Sequence, residues 1–328
     1  MSQKLVDNFN RNIDYIRVSV TDRCDLRCNY CMPEKHTQFA EPDSWLTFDE
    51  LTRVIRLFSE MGTYRIRLTG GEPLVRKNLP DLVERLNQLP KIKDLSLSTN
   101  AIQLKKFATP LKQAGISRLN VSLDTLDAEK FKAITKGKLQ KVLDGLAAAK
   151  EAGFNPIKLN MVVMAETQMD DVFSMVQYCQ DNDFTLRLIE TMPLGSTGQT
   201  AFQKKILSFS DIKQQLASRF PFIPGTMPGG GPARYIQLTE SQTRIGFITP
   251  ISQHFCETCN RVRLSAEGTI YTCLGQEHNY PLRPLIRSNA SDEQLKEAIQ
   301  TAINLKPEKH EFNEKPLKLT RIMSKTGG

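Results

Sequence analysis

The most informative segment of the chain is Cys24-Asp25-Leu26-Arg27-Cys28-Asn29-Tyr30-Cys31. It places three cysteines within eight residues, spaced C-x3-C-x2-C. Three thiolates can bind three irons of a [4Fe–4S] cube and leave the fourth iron without a protein ligand, whereas a cluster that only carries electrons usually has four cysteines. The segment therefore predicts an open iron that can bind a substrate or cofactor. The alternative is a zinc loop, but zinc prefers four closed ligands, and the nearest further candidate is His36.

Composition sets the size and setting of the protein. Its 328 residues, 40% of them hydrophobic, allow one large α/β domain or two smaller ones. No apolar run approaches the ~20 residues that cross a bilayer, and the polar N-terminal segment lacks the apolar region of a signal peptide. Seven cysteines without a secretory signal predict a cytoplasmic protein with metal or cluster chemistry, and no membrane association.

The charge balance is basic. Lys and Arg number 44 against 36 Asp and Glu, for a net charge of +8. This balance suits an anionic substrate such as a nucleoside triphosphate, or an acidic redox partner, although an ordinary basic surface is the simpler interpretation of charge alone. No basic stripe is interleaved with aromatic residues, so nucleic-acid binding is not predicted.

The first two thirds of the chain alternate short apolar runs with helical patterns. Buried parallel strands are predicted at 16–20, 66–69, 95–99, 119–123, 157–164 and 186–190. Helices are predicted between them at 78–89, 104–114, 139–152 and 170–181, and a further helix is predicted to be opened by a capping box at Thr47 and Glu50. This alternation favours a parallel sheet, either a partial barrel or a doubly wound open sheet. The conspicuous motifs follow strand ends, where both folds place their sites.

The last third has a different pattern. The segment 221–232 is rich in Pro and Gly and cannot form a helix or a central strand. A hairpin is predicted over Arg234–Leu238 and Arg244–Ile248, and a helix over 292–303. We divide the chain at 200 into a barrel segment, 1–200, and a C-terminal segment, 201–328.

A second cysteine set lies in that segment. Cys256 and Cys259 form a C-x2-C pair, and Cys273 follows after thirteen residues. Spacing alone leaves zinc, with His254 or His278 as fourth ligand, and a second iron–sulfur cluster as equal alternatives.

The first cysteine spacing, with Tyr30 before the last cysteine, resembles the radical S-adenosylmethionine (SAM) family. The resemblance implies that the open iron binds SAM, and that reduction of the cluster cleaves SAM to a 5′-deoxyadenosyl radical. It also implies an α/β fold, an incomplete (β/α)6 TIM-type barrel whose opening is capped by the C-terminal α+β region.

The whole chain resembles the GTP 3′,8-cyclase family of molybdenum cofactor biosynthesis. The matching motifs are Thr21-Asp22-Arg23-Cys24, Arg67-Leu68-Thr69-Gly70-Gly71-Glu72-Pro73, Asn120-Val121-Ser122-Leu123-Asp124, Gly231-Pro232-Ala233-Arg234-Tyr235, Cys256-Glu257-Thr258-Cys259-Asn260-Arg261-Val262-Arg263 and the terminal Gly327-Gly328. One departure is Ala101, where the family commonly has Gly, because Ala is strained at positive φ. Another radical SAM enzyme with an auxiliary cluster, such as a peptide-modifying maturase, remains the alternative.

The resemblance implies a role for each matching residue. It assigns two [4Fe–4S] clusters to Cys24, Cys28 and Cys31 and to Cys256, Cys259 and Cys273. It assigns SAM contacts to Tyr30, Gly71, Ser122 and Met192. It assigns GTP contacts to Arg17, Arg67, Thr99, Lys158, Arg261, Val262 and Arg263. The tail residues Gly327 and Gly328 are implied to enter the active site.

The same resemblance implies the partners. GTP would be cyclised to (8S)-3′,8-cyclo-7,8-dihydro-GTP. A flavodoxin- or ferredoxin-type protein would supply electrons, and a cyclic pyranopterin monophosphate synthase would take the product. The sequence leaves open whether the protein is a homodimer.

Overall fold

The computed structural model describes residues 4–204, 206–312 and 321–327. Within these residues the strands are β1 (Tyr15–Ser19), β2 (Arg65–Thr69), β3 (Asp94–Thr99), β4 (Arg118–Ser122), β5 (Ile157–Val163), β6 (Thr185–Glu190), β7 (Phe222–Gly225), β8 (Arg234–Leu238), β9 (Arg244–Ile248), β10 (Arg261–Leu264), β11 (Thr269–Tyr271) and β12 (Asn279–Pro281). The α-helices are α1 (Phe48–Glu60), α2 (Leu79–Asn87), α3 (Leu104–Ala114), α4 (Ala128–Thr135), α5 (Leu139–Glu151), α6 (Met169–Asn182), α7 (Gly195–Phe202), α8 (Phe209–Arg219), α9 (Arg283–Arg287) and α10 (Asp292–Asn304).

Strands β1 to β6 form a parallel sheet in sequence order, each hydrogen-bonded to the next. A doubly wound sheet reverses its strand order at a switch point, and this order contains no reversal. The observed order is that of a partial (β/α)6 barrel, so the expected fold class is confirmed. Apolar side chains such as Ile16 and Val18 are fully buried and alternate with polar residues that face the barrel interior.

The C-terminal strands extend this sheet on both sides. Strand β10 pairs in parallel with β1, and β11 and β12 continue the sheet beyond it. On the other side β9 pairs in parallel with β6, and β8 and β7 follow. The predicted hairpin is therefore confirmed as β8 and β9. Because both predicted segments share one sheet of twelve strands, residues at the start and end of the chain meet. The division at residue 200 itself stays a prediction.

Local signals place several helices correctly. Glu50 N–H donates to Thr47 Oγ1 at 3.1 Å and Thr47 N–H donates to Glu50 Oε2 at 2.7 Å, which completes the predicted capping box of α1. Helices α2, α3, α5, α6 and α10 begin and end within two residues of their predicted bounds. No prediction covered α4, α7, α8 and α9, or strands β7, β10, β11 and β12. None of the helices in the described ranges is long and apolar enough to cross a membrane.

The departure at Ala101 has a structural consequence. Ala101 adopts φ 63°, in the left-handed region, and its side chain is fully buried. A residue with a Cβ pays about 1–2 kcal/mol for that conformation. Thr99 Oγ1 accepts the Ala101 N–H at 3.0 Å and Asn100 Oδ1 accepts the Ile102 N–H at 2.9 Å. These bonds hold the turn in place after β3.

Candidate active site

The first cysteine triad lies in the loop that leaves β1, at the carboxyl edge of the sheet. Cys24, Cys28 and Cys31 line one wall of a cavity of ≈ 130 Å³. Opposite them are polar groups from the ends of β3, β4 and β5: Ser98, Thr99, Asn100, Ser122 and Asn160. The three thiols form a donor set whose chemistry suits an iron–sulfur cluster with one open iron. Among the described residues, no group of three or more His, Cys, Asp or Glu is arranged to hold a single metal ion.

Two glycines after β2 allow the cysteine loop to pack against the neighbouring strand. A Cβ on Gly71 would lie 2.2 Å from the Arg23 carbonyl oxygen, and one on Gly70 would lie 2.4 Å from that of Thr21. Gly71 N–H donates to Thr21 O at 2.8 Å, and Glu72 N–H donates to Arg23 O at 2.8 Å. The close approach that requires glycine here is therefore between backbone and backbone, beneath the cysteine loop.

Glu72 is buried behind this loop. Its carboxylate accepts from Thr99 Oγ1, Asn100 N–H and Leu74 N–H at 2.7, 2.7 and 3.1 Å. Burial nevertheless raises the pKa of Glu72 to about 8. Burial, with Glu72 close by, raises the pKa of the Cys24 thiol to about 12. The first triad thus lies in an acidic environment, in which bound metal would have to stabilise the thiolates.

Tyr30 is held by a carboxylate on the far side of the cavity. Its hydroxyl donates to Asp124 Oδ2 at 2.9 Å, and Asp124 Oδ1 accepts the Val162 N–H at 2.9 Å. Burial raises the pKa of Asp124 to about 6. These bonds orient the Tyr30 ring between the first cavity and a second one, which it also lines.

The second triad comes from the C-terminal strands. Cys256 and Cys259 precede β10, and Cys273 follows β11. All three line a cavity of ≈ 220 Å³ that shares Tyr30, Ser122 and other residues with the first cavity. The two triads therefore face adjoining cavities, one triad on each.

The second triad lies in a basic environment. Burial would raise the pKa of Cys259, but Lys306 and Arg261 lower it to about 7. Arg11 fixes the loop from behind, since its guanidinium donates to the Cys256 carbonyl oxygen at 2.9 Å. Neither His254 nor His278, the two candidate fourth ligands for zinc, is among the residues that line this cavity, whereas His310 is.

Cationic side chains gather inside the barrel between the triads. Arg263, Arg17 and Arg67 occupy adjacent strands at one level of the sheet. Arg187 and Arg261 line the same cavity. In the part of the chain that the structure describes, none of these five forms an ion pair with a carboxylate. Buried cations without anionic partners are costly, so this group is suited to a polyanionic ligand.

The cations change the acidity of their neighbours. Burial would raise the pKa of Tyr15, but Arg67, Arg17 and Arg261 lower it to about 8. Burial, followed by the charges of Arg187 and Arg118, lowers the pKa of Lys158 to about 7. These positive charges repel one another, and negatively charged phosphate groups placed among them would stabilise them.

The C-terminal tail connects both triads. Arg321 donates to the carbonyl oxygens of Leu274 and Gln276 at 3.0 Å each, next to Cys273. Further along, Met323 and Ser324 line the first cavity together with the first cysteine triad. The Arg263 guanidinium donates to the carbonyl oxygens of Thr326 and Gly327. Gly327 therefore lies beside Arg263 and Thr69, and its entry into the active site stays a prediction. Gly328 lies outside the described residues.

The structure brings most predicted site residues to the two cavities. Tyr30 and Ser122 line both; Gly71 lines the first; Arg17, Arg67, Arg261, Val262 and Arg263 line the second. Met192, predicted to contact SAM, lines the second cavity, and Thr99, predicted to contact GTP, lines the first. Lys158 is buried on β5 and lines neither.

Sequence reasoning missed three residues of the second cavity. Arg187 on β6 is buried. Within the described part of the chain, the Arg187 Nε atom, the Tyr15 hydroxyl and Asn160 Oδ1 have no hydrogen-bond partner. The sequence signal that could have identified Arg187 and Asn160 is a charged or amide side chain within an otherwise apolar strand.

A partial (β/α)6 barrel with a three-cysteine loop after its first strand defines a radical SAM protein. Residues 18–179 match the model of the Radical SAM superfamily, and residues 184–312 match the model described as Molybdenum Cofactor Synthesis C. GTP 3′,8-cyclase 2 of Pseudomonas aeruginosa is 46% identical over 328 residues, which cover 99% of each chain. GTP 3′,8-cyclase of Hydrogenovibrio crunogenus is 46% identical over 94% of this chain and 95% of that protein. The chain belongs to the GTP 3′,8-cyclase family.

Solved structures of lower identity share the fold. SuiB of Streptococcus suis bound to S-adenosylmethionine matches with a TM-score of 0.65 at 16% identity, over 97% of this chain and 78% of that chain. Methylornithine synthase matches with a TM-score of 0.50 at 16% identity, over 66% and 62%. The alternative of a peptide-modifying enzyme rests only on such likeness of fold.

Proposed function

We propose that this protein cyclises GTP to (8S)-3′,8-cyclo-7,8-dihydro-GTP, the first step of molybdenum cofactor biosynthesis. The observation that carries the proposal is the placement of two cysteine triads on adjoining cavities with an unpaired group of cations between them. The curated relatives named GTP 3′,8-cyclase support it, since the likeness extends over the whole chain.

The first triad would hold the cluster to which SAM binds. When bound, the cluster, SAM and one electron from a reductant would supply a 5′-deoxyadenosyl radical. This radical would take the hydrogen atom from C3′ of GTP and leave as 5′-deoxyadenosine, the C3′ radical would add to C8, and a further electron and proton would complete (8S)-3′,8-cyclo-7,8-dihydro-GTP. Tyr30, Gly71 and Ser122 would contact SAM, with Tyr30 held in place by Asp124. Met192 keeps its proposed SAM contact from the second cavity, because that cavity adjoins the first.

The second triad would hold the other [4Fe–4S] cluster and bind the guanine base at its open iron. The triphosphate would lie among Arg17, Arg67, Arg187 and Arg263, where guanidinium groups match phosphate oxygens. Arg261 and Val262 would contact the nucleotide from β10. Thr99 remains a proposed GTP contact, from the first cavity. Lys158 also remains a proposed GTP-binding residue, and it would act through its charge on the phosphate groups.

These residues would act mainly by position. A radical able to break a C–H bond must meet one hydrogen atom and no other, so the two reactants must be held in fixed relation. The tail would close the site, because Arg263 holds its carbonyl groups and Gly327, at φ 73°, fits against Thr69 where a Cβ would lie 2.2 Å from a Thr69 carbon.

The wider setting is also a proposal. An acidic flavodoxin- or ferredoxin-type protein would deliver electrons, and a cyclic pyranopterin monophosphate synthase would receive the product. The free cysteines of the described residues suit a reducing cytoplasm. Association into a homodimer remains open to measurement.

The test separates the two triads. The parent protein, reconstituted without oxygen, should contain two [4Fe–4S] clusters and form 5′-deoxyadenosine and cyclised product in the presence of SAM, reductant and GTP. Cys273→Ser should retain SAM binding and lose cyclisation, whereas Cys28→Ser should lose SAM binding. Zinc in place of the second cluster, or loss of SAM binding in Cys273→Ser, would contradict the assignment.

A further inference from the structure

Lys306 is a buried lysine directly behind the second cysteine triad. It follows α10, and its side chain is only 3% exposed. Its Nζ donates to the Cys259 sulfur at 3.4 Å, to the Arg261 carbonyl oxygen at 3.0 Å and to the Thr272 carbonyl oxygen at 2.8 Å. An ammonium group has three N–H donors, and all three are used here.

These three acceptors belong to different parts of the triad's framework. One is a triad sulfur itself. The second is the first residue of β10, two positions after Cys259, and the third directly precedes Cys273. A single amino group thus ties together the loop before β10 and the loop after β11, which carry the triad.

The charge of Lys306 has no carboxylate partner among residues 4–204, 206–312 and 321–327. A buried ammonium is costly unless an anion compensates it. The group in contact with it that carries negative charge when it binds iron is the sulfur of Cys259, 3.4 Å from the Lys306 Nζ. If Lys306 only filled space or donated hydrogen bonds to backbone carbonyl groups, an uncharged side chain would serve at this position.

We propose that Lys306 is a positioning residue of the second cysteine triad, and that its charge fixes the Cys259 thiolate and makes the cluster held there easier to reduce. The inference rests on the proposed assignment of that cluster to Cys256, Cys259 and Cys273. Hydrogen bonds to cluster sulfurs and nearby charge tune the reduction potential. A cation stabilises the reduced cluster more than the oxidised one, because the reduced cluster carries one more negative charge.

Among the described residues, no lysine or arginine donates a hydrogen bond to a sulfur of the first triad. The Cys24 sulfur accepts from the Leu26 backbone N–H at 3.4 Å and lies 3.8 Å from the Asn100 amide nitrogen. Its acidic neighbours are Glu72 and Asp25. The two triads therefore lie in opposite electrostatic environments, and Lys306 is the charged side chain whose amino group touches a sulfur of the second.

The test compares Lys306→Met, Lys306→Gln and Lys306→Arg with Lys309→Met. Lys309 is exposed three residues further on, so its substitution removes the same charge without touching the triad. Each full-length variant is reconstituted without oxygen, its iron and zinc are counted, and its clusters are titrated potentiometrically with detection by electron paramagnetic resonance. A variant with serine at positions 24, 28 and 31 identifies the signal of the second cluster.

We expect Lys306→Met to lower the equilibrium constant for one-electron reduction of the second cluster by at least about tenfold, equivalent to ~59 mV. Lys306→Arg should stay near the parent value, and Lys309→Met should equal it. A purely structural role would reduce the amount of cluster but leave the potential of the remaining fraction unchanged.

The proposal is also supported if Lys306→Met and Lys306→Gln both lose the second cluster while Lys306→Arg and Lys309→Met retain it fully. The charge at position 306 would then decide whether the cluster is retained. An unchanged potential in Lys306→Met, or an equal shift in Lys309→Met, overturns it. Failure of Lys306→Arg to retain the cluster likewise overturns it. Zinc in the parent's second triad would instead overturn the cluster assignment, so the two failures are distinguishable.

Discussion

Binding of GTP at pH 8 should take up about 0.8–1.4 protons, mostly at Lys158. In the free protein, burial and the charges of Arg187 and Arg118 lower the pKa of Lys158 to about 7 from its ordinary 10.5. At pH 8 its amine is therefore about 90% neutral. A triphosphate placed among these cations favours the charged ammonium and returns the pKa toward its ordinary value.

The magnitude follows from this shift. If the pKa of Lys158 rises from about 7 to above 9 on binding, about 0.8–0.9 proton is taken up at pH 8. Because binding takes up a proton, rising pH opposes it. The affinity for GTP should therefore fall by up to about tenfold per pH unit above pH 7, until the pKa of the bound state is reached.

Isothermal titration calorimetry in buffers of different ionisation enthalpy measures the uptake directly. Lys158→Met should remove most of it. Tyr15→Phe is the matched control for the second titrating group, since the pKa of Tyr15 is about 8 and its share at pH 8 is about half a proton at most. Phosphate oxygens with a pKa near ~6 are already ionised at pH 8. An uptake in Lys158→Met equal to that of the parent would refute the reasoning.

Three further substitutions have defined outcomes. Burial and the charges of Arg17 and Arg187 lower the pKa of Arg67 to about 9, so folding disfavours its charged form. Arg67→Met should raise the free energy of unfolding by about 1–4 kcal/mol, because each unit by which the pKa is lowered corresponds to about 1.4 kcal/mol and the lost contacts offset part of this gain. The same substitution should weaken GTP binding about 10- to 150-fold. Denaturant unfolding and equilibrium binding measure the two effects, and a loss of stability would contradict this account. Gly71→Ala should halve the iron content of the reconstituted protein, because its Cβ would lie 2.2 Å from the Arg23 carbonyl oxygen. Gly231→Ala should keep the iron content of the parent, because a Cβ there would have no atom within 4 Å. Equal iron content in the two variants would count against the packing argument. Gly327→Ala should displace the tail from Thr69. The rate of cyclisation should then fall while SAM binding is retained. A rate equal to that of the parent would show that the tail contact is dispensable.

Features encoded by local sequence were predictable. Strands β1 to β6 were located because each is an apolar run flanked by turn residues, and α1 because its capping box lies within four residues. Both cysteine triads were found because their members are close in sequence. The left-handed turn at Ala101 was anticipated from the resemblance, because the family commonly has Gly at this position, and the structure has φ 63° there.

Features that depend on long-range packing were not predictable. Strands β10, β11 and β12 are three or four residues long, too short for a periodic signal. The role of Arg187 depends on its neighbours across the sheet, and that of Lys306 on three acceptors contributed by other segments. The placement of Thr99 and Met192 depends on which cavity each strand end faces, which periodicity does not determine.

The most direct test of the proposed function uses GTP labelled with deuterium at C3′. The reconstituted protein is incubated with this substrate, SAM and a reductant without oxygen, and the 5′-deoxyadenosine formed is analysed by mass spectrometry. If the two cavities hold SAM and GTP in register, 5′-deoxyadenosine should form in a GTP-dependent manner and carry one deuterium, with an equal amount of cyclised product. Deoxyadenosine without deuterium, formed equally well in the absence of GTP, would contradict the central claim.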